Sequence, residues 1–305
     1  MIFITGATGM IGSRLVSHLR DKHAITALVR KPDQMLQSLG IDQVQGNLLD
    51  ARTYKHMLKP ADQIIHLAAI IDEKDKDMWE VNVEGTRELI SACDGQRFVY
   101  ISTAGVYGDC NDGPVDETTA VDPITHYEKS KLESEKYVVQ LDSPTILRST
   151  LAYGPSSYWR TIIKLISKNF PLIGNGKNYF HLVYVEDLPD IIINALSERH
   201  SGEVYNIAGK ETLTLLETYK IIKKIMGVEG RTKHLPRGLV LALSYLTQRI
   251  PKSLFAPSYV KRLTKNRIYN VEKAEKSGLG AKTRFKEGIT EVIRDLGLIQ
   301  LKEEE

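Results

Sequence analysis

The chain has 305 residues, and 41 lysines and arginines stand against 38 aspartates and glutamates, a net charge of +3. That length holds one large α/β domain or a cofactor domain with a smaller lobe, and so slight an excess, interleaved with acids, argues against a nucleic-acid partner. Two cysteines, Cys93 and Cys110, are too few for a disulfide framework and lack metal-ligand spacing, so no metal site is expected and a reducing, cytoplasmic setting is predicted.

A strand is predicted from the first residue, Met1-Ile2-Phe3-Ile4-Thr5, which leaves no room for a signal segment. It runs into Gly6-Ala7-Thr8-Gly9-Met10-Ile11-Gly12 and then a helix-like stretch, Ser13 to Leu19. Glycines at these three positions suit a tight turn, a close approach of backbone to a pyrophosphate, and close packing of helix on strand. The helix N-terminus offers free N–H groups to the phosphates. A dinucleotide site over Gly6, Thr8, Gly9, Met10, Ile11 and Gly12 is therefore expected. No Gly-Lys-Ser/Thr follows, which disfavours a triphosphate loop.

Short apolar runs then alternate with amphipathic stretches. Strands are predicted over 25–29, 43–46, 63–67, 98–102 and 145–148, with helical patterns between them, which argues for right-handed crossovers and a parallel sheet covered on both faces. Further strands are predicted over 182–185 and 204–207, flanking a helix over 188–196. The expected architecture is a Rossmann-type doubly wound parallel α/β sheet with a smaller, mostly helical C-terminal substrate lobe. Residues 1–153 would form the dinucleotide domain, 182–208 would return to it, and 154–181 with 209–305 would form the lobe.

The second strand ends Ala27-Leu28-Val29-Arg30-Lys31. An NAD site usually places an acid there for the ribose 2′-hydroxyl, whereas Arg30 suits a 2′-phosphate, so NADP(H) is favoured over NAD(H). The fifth strand ends in Ser102-Thr103, and Tyr127 and Lys131 follow at helical spacing, one turn apart on one face. A phenol is a poor base at neutral pH, but an adjacent ammonium and a nicotinamide cation favour its anion. Tyr127 is thus the expected acid/base, Lys131 the residue that tunes it and holds the ribose, and Thr103 the partner of the reacting oxygen. A second Tyr-x-x-x-Lys, at Tyr219 and Lys223, lacks a hydroxyl-bearing strand end upstream and is expected to be structural.

The apolar segment from Leu239 to Ile250 is too short to span a bilayer and is expected to pack as a helix of the lobe, with a membrane-surface or lipid-entry role as the minority reading; Lys302 to Glu305 reads as a solvated tail.

Together, Thr5 to Gly12, Gly46-Asn47-Leu48-Leu49-Asp50, His66-Leu67-Ala68-Ala69, Asn82-Val83-Glu84-Gly85-Thr86, Ser102 to Gly108, Tyr127 to Lys131, Leu147-Arg148, Tyr153-Gly154-Pro155 and Val185-Glu186-Asp187 resemble the extended short-chain dehydrogenases of the NAD-dependent epimerase/dehydratase type over nearly the whole length. The resemblance implies that Asn47 and Leu48 flank the adenine, that Leu67, Ala68 and Ala69 line the dinucleotide groove, and that Asn82 sits near the nicotinamide. It also implies a homodimer through helices near 77–93 and 125–141. Asp187 is expected to cap the helix it opens.

Phe180-His181 stands where sugar-nucleotide epimerases of the family usually carry Arg-Asp, and Ala104-Gly105 stands where dehydratases carry acids. The late region resembles the hydroxysteroid dehydrogenase and dihydroflavonol reductase branch. The reading that follows is an oxidoreductase moving a hydride between nicotinamide and a secondary alcohol or ketone. A nucleotide-sugar epimerase is the alternative, and a dinucleotide-binding sensor or scaffold without chemistry is the second. Ala104, Tyr153, His181 and Arg267 are the candidate substrate contacts, Arg267 for a substrate phosphate.

Overall fold

Seven strands form one parallel sheet: β1 (Ile2–Thr5), β2 (Ile25–Val29), β3 (Asp42–Gln45), β4 (Gln63–His66), β5 (Arg97–Thr103), β6 (Thr145–Ser149) and β7 (Val204–Ile207), in the order β7-β6-β5-β4-β1-β2-β3. The coordinates are a computed structural model that describes residues 1–110, 113–247 and 263–299. Strands β1, β2 and β6 are buried along their whole length, β6 even at Arg148 and Ser149, while the polar β3 lies at the edge.

Alternate residues of each strand feed two cores. Ile2, Ile4, Val99 and Leu147 point to one face, against Leu15, Val16 and Leu19 of α1 (Met10–Leu19) and Ile191 and Ile192 of α7 (Leu188–Asn194). Phe3, Phe98, Tyr100 and Ile146 point to the other, against Leu58 of α3 (Lys55–Leu58), Leu89 of α4 (Gly85–Ala92) and Val138 of α5 (His126–Val138). A short helix, α2 (Gln34–Ser38), precedes β3.

A third core lies outside the sheet. It gathers α6 (Ser157–Ser167), α8 (Leu215–Ile225) and α11 (Phe285–Asp295) around Tyr153, Tyr184 and Val185; α9 (Arg237–Thr247) and α10 (Glu272–Lys276) lie between α8 and α11 in the chain. The strand expected over 182–185 is only Val183–Tyr184. It pairs with Ala152–Tyr153 rather than with the central sheet, because Val185 already begins a helical turn through Asp187. The expected helix through Ile250 is described as far as Thr247, and Lys302 to Glu305 lies outside the described residues.

Candidate active site

The chain order of the sheet reverses between β1 and β4, so a crevice opens at the C-terminal ends of these two strands. The glycine turn fills it from one side. Gly6 has φ +75°, and a Cβ there would lie 2.6 Å from the Ala68 nitrogen; a Cβ on Gly12 would lie 2.1 Å from the Gly6 carbonyl oxygen. These two glycines are consumed by packing. Gly9 is exposed and meets only the Gly6 oxygen, at 3.3 Å, so its face is the open one. Gly9 also precedes α1, whose first turn carries neither a capping side chain nor an acid. Thr8 is exposed and Met10 and Ile11 are half-buried beside it. The turn is a cradle that a phosphate fits and that a side chain at Gly9 would fill.

A buried chain of hydrogen bonds ties this crevice to the next element. The Ala68 N–H donates to Thr5 Oγ1 at 3.3 Å, and Thr5 lies 2.6 Å from His66 Nδ1. His66 Nε2 lies 2.9 Å from Thr86 Oγ1, which donates to the Asn82 carbonyl. Since the Thr86 hydroxyl proton is used, His66 Nε2 must be the donor to it and Nδ1 the acceptor from Thr5. Burial pushes the His66 imidazole down to about 3, so it stays neutral, as this pattern requires. Asn82 then closes the frame. Its side chain accepts from Ile70 N–H at 2.7 Å and donates to the Ile70 carbonyl and to Ser130 Oγ, both at 3.0 Å. The half-buried segment Leu67, Ala68, Ala69 is thereby held between the glycine turn and α5.

Helix α5 begins with a reciprocal cap between Thr125 and Glu128 and carries Tyr127, half-buried, and Lys131, 2 % exposed. The Lys131 Nζ lies 4.1 Å from the centroid of the Tyr100 ring. Burial lowers its ammonium from 10.5 to about 7, against the pull of the Glu135 carboxylate one turn on. Glu135 is itself fixed: Arg148 Nη2 donates to it at 2.7 Å, and so does the Ser102 hydroxyl. Arg148 also donates to the Tyr107 hydroxyl, which donates to Asn206. One polar network thus locks β5, β6, β7 and α5 together beneath the site. At the end of β5, Thr103 Oγ1 accepts from the Gly105 N–H at 3.1 Å, so its own proton is left to donate elsewhere.

A sequence profile of the NAD dependent epimerase/dehydratase family matches residues 2–208. The chain belongs to this family. An uncharacterised UDP-glucose epimerase of Bacillus subtilis is 30% identical over 263 residues, 74% of this chain and 82% of that one. The N-acetyl-α-D-glucosaminyl-diphospho-ditrans,octacis-undecaprenol 4-epimerase of Escherichia coli O157:H7 is 24% identical over 318 residues, 96% and 94% of the two chains. The UDP-glucuronic acid 4-epimerase of Bacillus cereus, solved in complex with NAD, superposes with a TM-score of 0.75 at 24% identity, covering 97% of this chain and 99% of that one. These relatives are sugar epimerases, and they stand closer to the alternative reading of the sequence than to the alcohol–ketone one.

Arg30 is exposed, while Asp33 is occupied in capping α2, accepting from Leu36 N–H at 3.1 Å. Asn47 is exposed and its Oδ1 accepts from Leu49 N–H, whereas Leu48 is buried against Gly85.

The remaining candidates fall into different surroundings. Ala104 is fully buried beside Thr103. Tyr153 is core: its ring stacks on Tyr184 and meets Trp159 and Phe285 edge-on. His181 is buried and hydrogen-bonds the Gly209 carbonyl at 2.7 Å; burial lowers its pKa. Arg267 lies 3.9 Å from Glu128 with little exposure, so its guanidinium faces a carboxylate. Asp187 departs from expectation. It caps nothing in α7; it accepts from Lys282 N–H, Thr283 N–H and the Thr283 hydroxyl, pinning the approach to α11. Tyr219 donates to the Phe170 carbonyl, and Lys223 donates to Asn169 and to the Gly230 carbonyl, so this second pair is structural as expected. No cluster of potential metal ligands exists among the described residues.

Two features escaped the sequence reading: the Thr5–His66–Thr86–Asn82 relay and the Glu128–Arg267 pair. The first joins residues as many as 81 positions apart through hydrogen bonds that no periodicity announces. The second sits one residue after Tyr127 and was visible only as a charged residue on a helix.

Proposed function

We propose that this protein is a nucleotide-sugar epimerase that inverts a carbinol carbon using a nicotinamide dinucleotide it retains. The observation that carries this reading is the space beside Thr103. A Cβ on Gly105 would lie 2.7 Å from Glu128 Oε1, and Glu128 Oε2 accepts from the Thr125 and Ile124 N–H groups. An acid at 105, of the kind a dehydratase uses to expel water, has no room, and Glu128 is held as an acceptor. Thr103, Tyr127 and Lys131 are thus suited to proton exchange beside a hydride carrier without elimination, which agrees with the epimerases among the relatives of this chain.

In this reading the glycine cradle and the Leu67–Ala69 wall hold the dinucleotide, which when bound supplies reversible hydride acceptance at the sugar carbon. Tyr127 takes the hydroxyl proton of the substrate and returns it to the same oxygen once the keto sugar has turned to present its opposite face. Thr103 donates to the same oxygen and fixes its distance from the phenol. Lys131, held by Tyr100 and Glu135, stabilises the phenolate and reaches the ribose hydroxyls. The α6, α8 and α11 core supports the sugar lobe, and the outer faces of α4 and α5 form a homodimer.

Arg30, with Asp33 already used in a cap, supports the phosphorylated dinucleotide, NADP(H), over NAD(H). Competitive titration of both cofactors decides this; a clear preference for NADH overturns it. The function itself is tested by incubating the protein with UDP-glucose, UDP-N-acetylglucosamine and UDP-glucuronic acid and following the sugar by NMR. Appearance of the epimer with no net consumption of cofactor supports the proposal. Stoichiometric oxidation of NADPH by ketones, with sugars untouched, replaces it with the alcohol–ketone reading.

A further inference from the structure

A groove of about 720 Å³ opens on the lobe, lined by Lys220, Lys223 and Lys224 of α8 and by Arg231 and His234 beyond it. None of its lining residues belongs to the glycine turn, β5 or α5. Between Leu216 and Arg237 the chain carries six lysines and arginines against two carboxylates, although the whole chain has an excess of only three. One of the six, Lys223, is buried and spent on Asn169 and two backbone carbonyls. The other five, Lys220, Lys224, Arg231, Lys233 and Arg237, are exposed, and among the described residues none has an ion-pair partner. Of the two carboxylates, Glu217 is held in the cap of α8 by Thr214, and Glu229 lies in the groove wall.

The groove wall ends at His234, and the chain continues from there into α9. His234 and Leu235 pair with Leu172 and Ile173, and α9 starts two residues later. Val240 and Ser244 of α9 turn inward, Val240 against Ile173. Leu239 and Leu243, one turn apart, are 53% and 51% exposed, with Ala242 exposed between them. An exposed leucine by itself means little. Two exposed leucines one turn apart, preceded in the chain by five exposed cations without ion-pair partners, have the composition of a segment that lies in a membrane interface, apolar face toward the acyl chains and basic flanks toward anionic headgroups. Charge complementarity selects the occupant: a polyanion such as nucleic acid offers nothing to the leucines, and a neutral apolar partner offers nothing to the cations. No helix among the described residues is long and apolar enough to cross a membrane, so the contact is one of lying on the surface.

We propose that the Leu239–Leu243 face of α9, with Lys220, Lys224, Arg231, Lys233 and Arg237, docks this protein on an anionic phospholipid surface. The inference concerns where the protein sits and stands whether or not the epimerase reading holds.

The full chain is floated with phosphatidylcholine vesicles containing about one third phosphatidylglycerol and, separately, with pure phosphatidylcholine. Flotation with the anionic vesicles alone, reversed by high salt, is expected. Leu239→Ser with Leu243→Ser should cut the bound fraction about tenfold, and Lys220→Ala with Lys224→Ala should cut it severalfold, with unchanged circular dichroism because all four side chains are exposed. Leu239→Trp should shift its emission to the blue on the anionic vesicles only. Absence of flotation, equal flotation on neutral vesicles, or an unshifted tryptophan overturns the proposal. So does a concentration-dependent dimer that the leucine changes abolish in a protein that ignores vesicles, since the face would then belong to a second copy.

Discussion

The Lys131 ammonium lies over the Tyr100 ring, 4.1 Å from its centroid, inside a part of α5 where the lysine is almost wholly out of water. The aromatic face and the Glu135 carboxylate offset part of the cost of burying this charge; desolvation still wins, and the group falls to about 7.

That depression fixes a pH signature. Below about pH 7 both folded and unfolded chains hold the proton and the fold bears the full cost; between about 7 and 10.5 the unfolded chain binds more protons than the folded one, so stability rises with pH. Denaturant titrations across this window should show the wild type gaining on Lys131→Met by about 1.4 kcal/mol per pH unit at most. A difference that stays flat with pH removes the buried cation from the account.

His66 gives an effect of the same sign at lower pH. Its pKa falls from 6.5 to about 3 in the fold, so the unfolded chain takes up a proton that the folded chain refuses, and stability drops as acid is added between these values. His66→Asn should lose this part of the acid slope. Thr86→Val, which strands the His66 N–H, should cost about 1–3 kcal/mol at neutral pH by thermal or denaturant melts.

The glycines separate folding from binding. Gly12→Ala puts a methyl group 2.1 Å from a carbonyl oxygen and should destabilise the protein without any ligand, by about 3 kcal/mol or more. Gly9→Ala meets nothing closer than 3.3 Å and should leave the melting temperature near wild type while weakening dinucleotide affinity about tenfold or more, read by calorimetry. Equal effects of the two changes on both measurements contradict the cradle.

The sheet was legible because short apolar runs such as Ile2-Phe3-Ile4 and Ile64-Ile65 recur between helical stretches, and the glycine turn because its three glycines follow a strand and open a helix. Helical spacing puts Tyr127 and Lys131 one turn apart, and both lie on α5; Tyr219–Lys223 has the same spacing and could be set aside because no hydroxyl-bearing strand end precedes it. Tyr153 shows the limit. A tyrosine near a strand end reads as a pocket wall, but its place among Tyr184, Trp159 and Phe285 depends on α6 and α11 arriving from distant sequence. Asp187 misleads likewise: its position says helix cap, while its bonds go to Lys282 and Thr283, 95 and 96 residues away.

The account stands or falls on Tyr127. Inversion of the sugar carbon by wild type and Tyr127→Phe, followed by NMR with cofactor binding measured on the same samples, tests it most directly. The phenylalanine variant should bind the dinucleotide as wild type does and turn over about a hundredfold to ten-thousandfold more slowly. A variant that binds cofactor and inverts the sugar at the wild-type rate would contradict the assignment of the proton to this phenol.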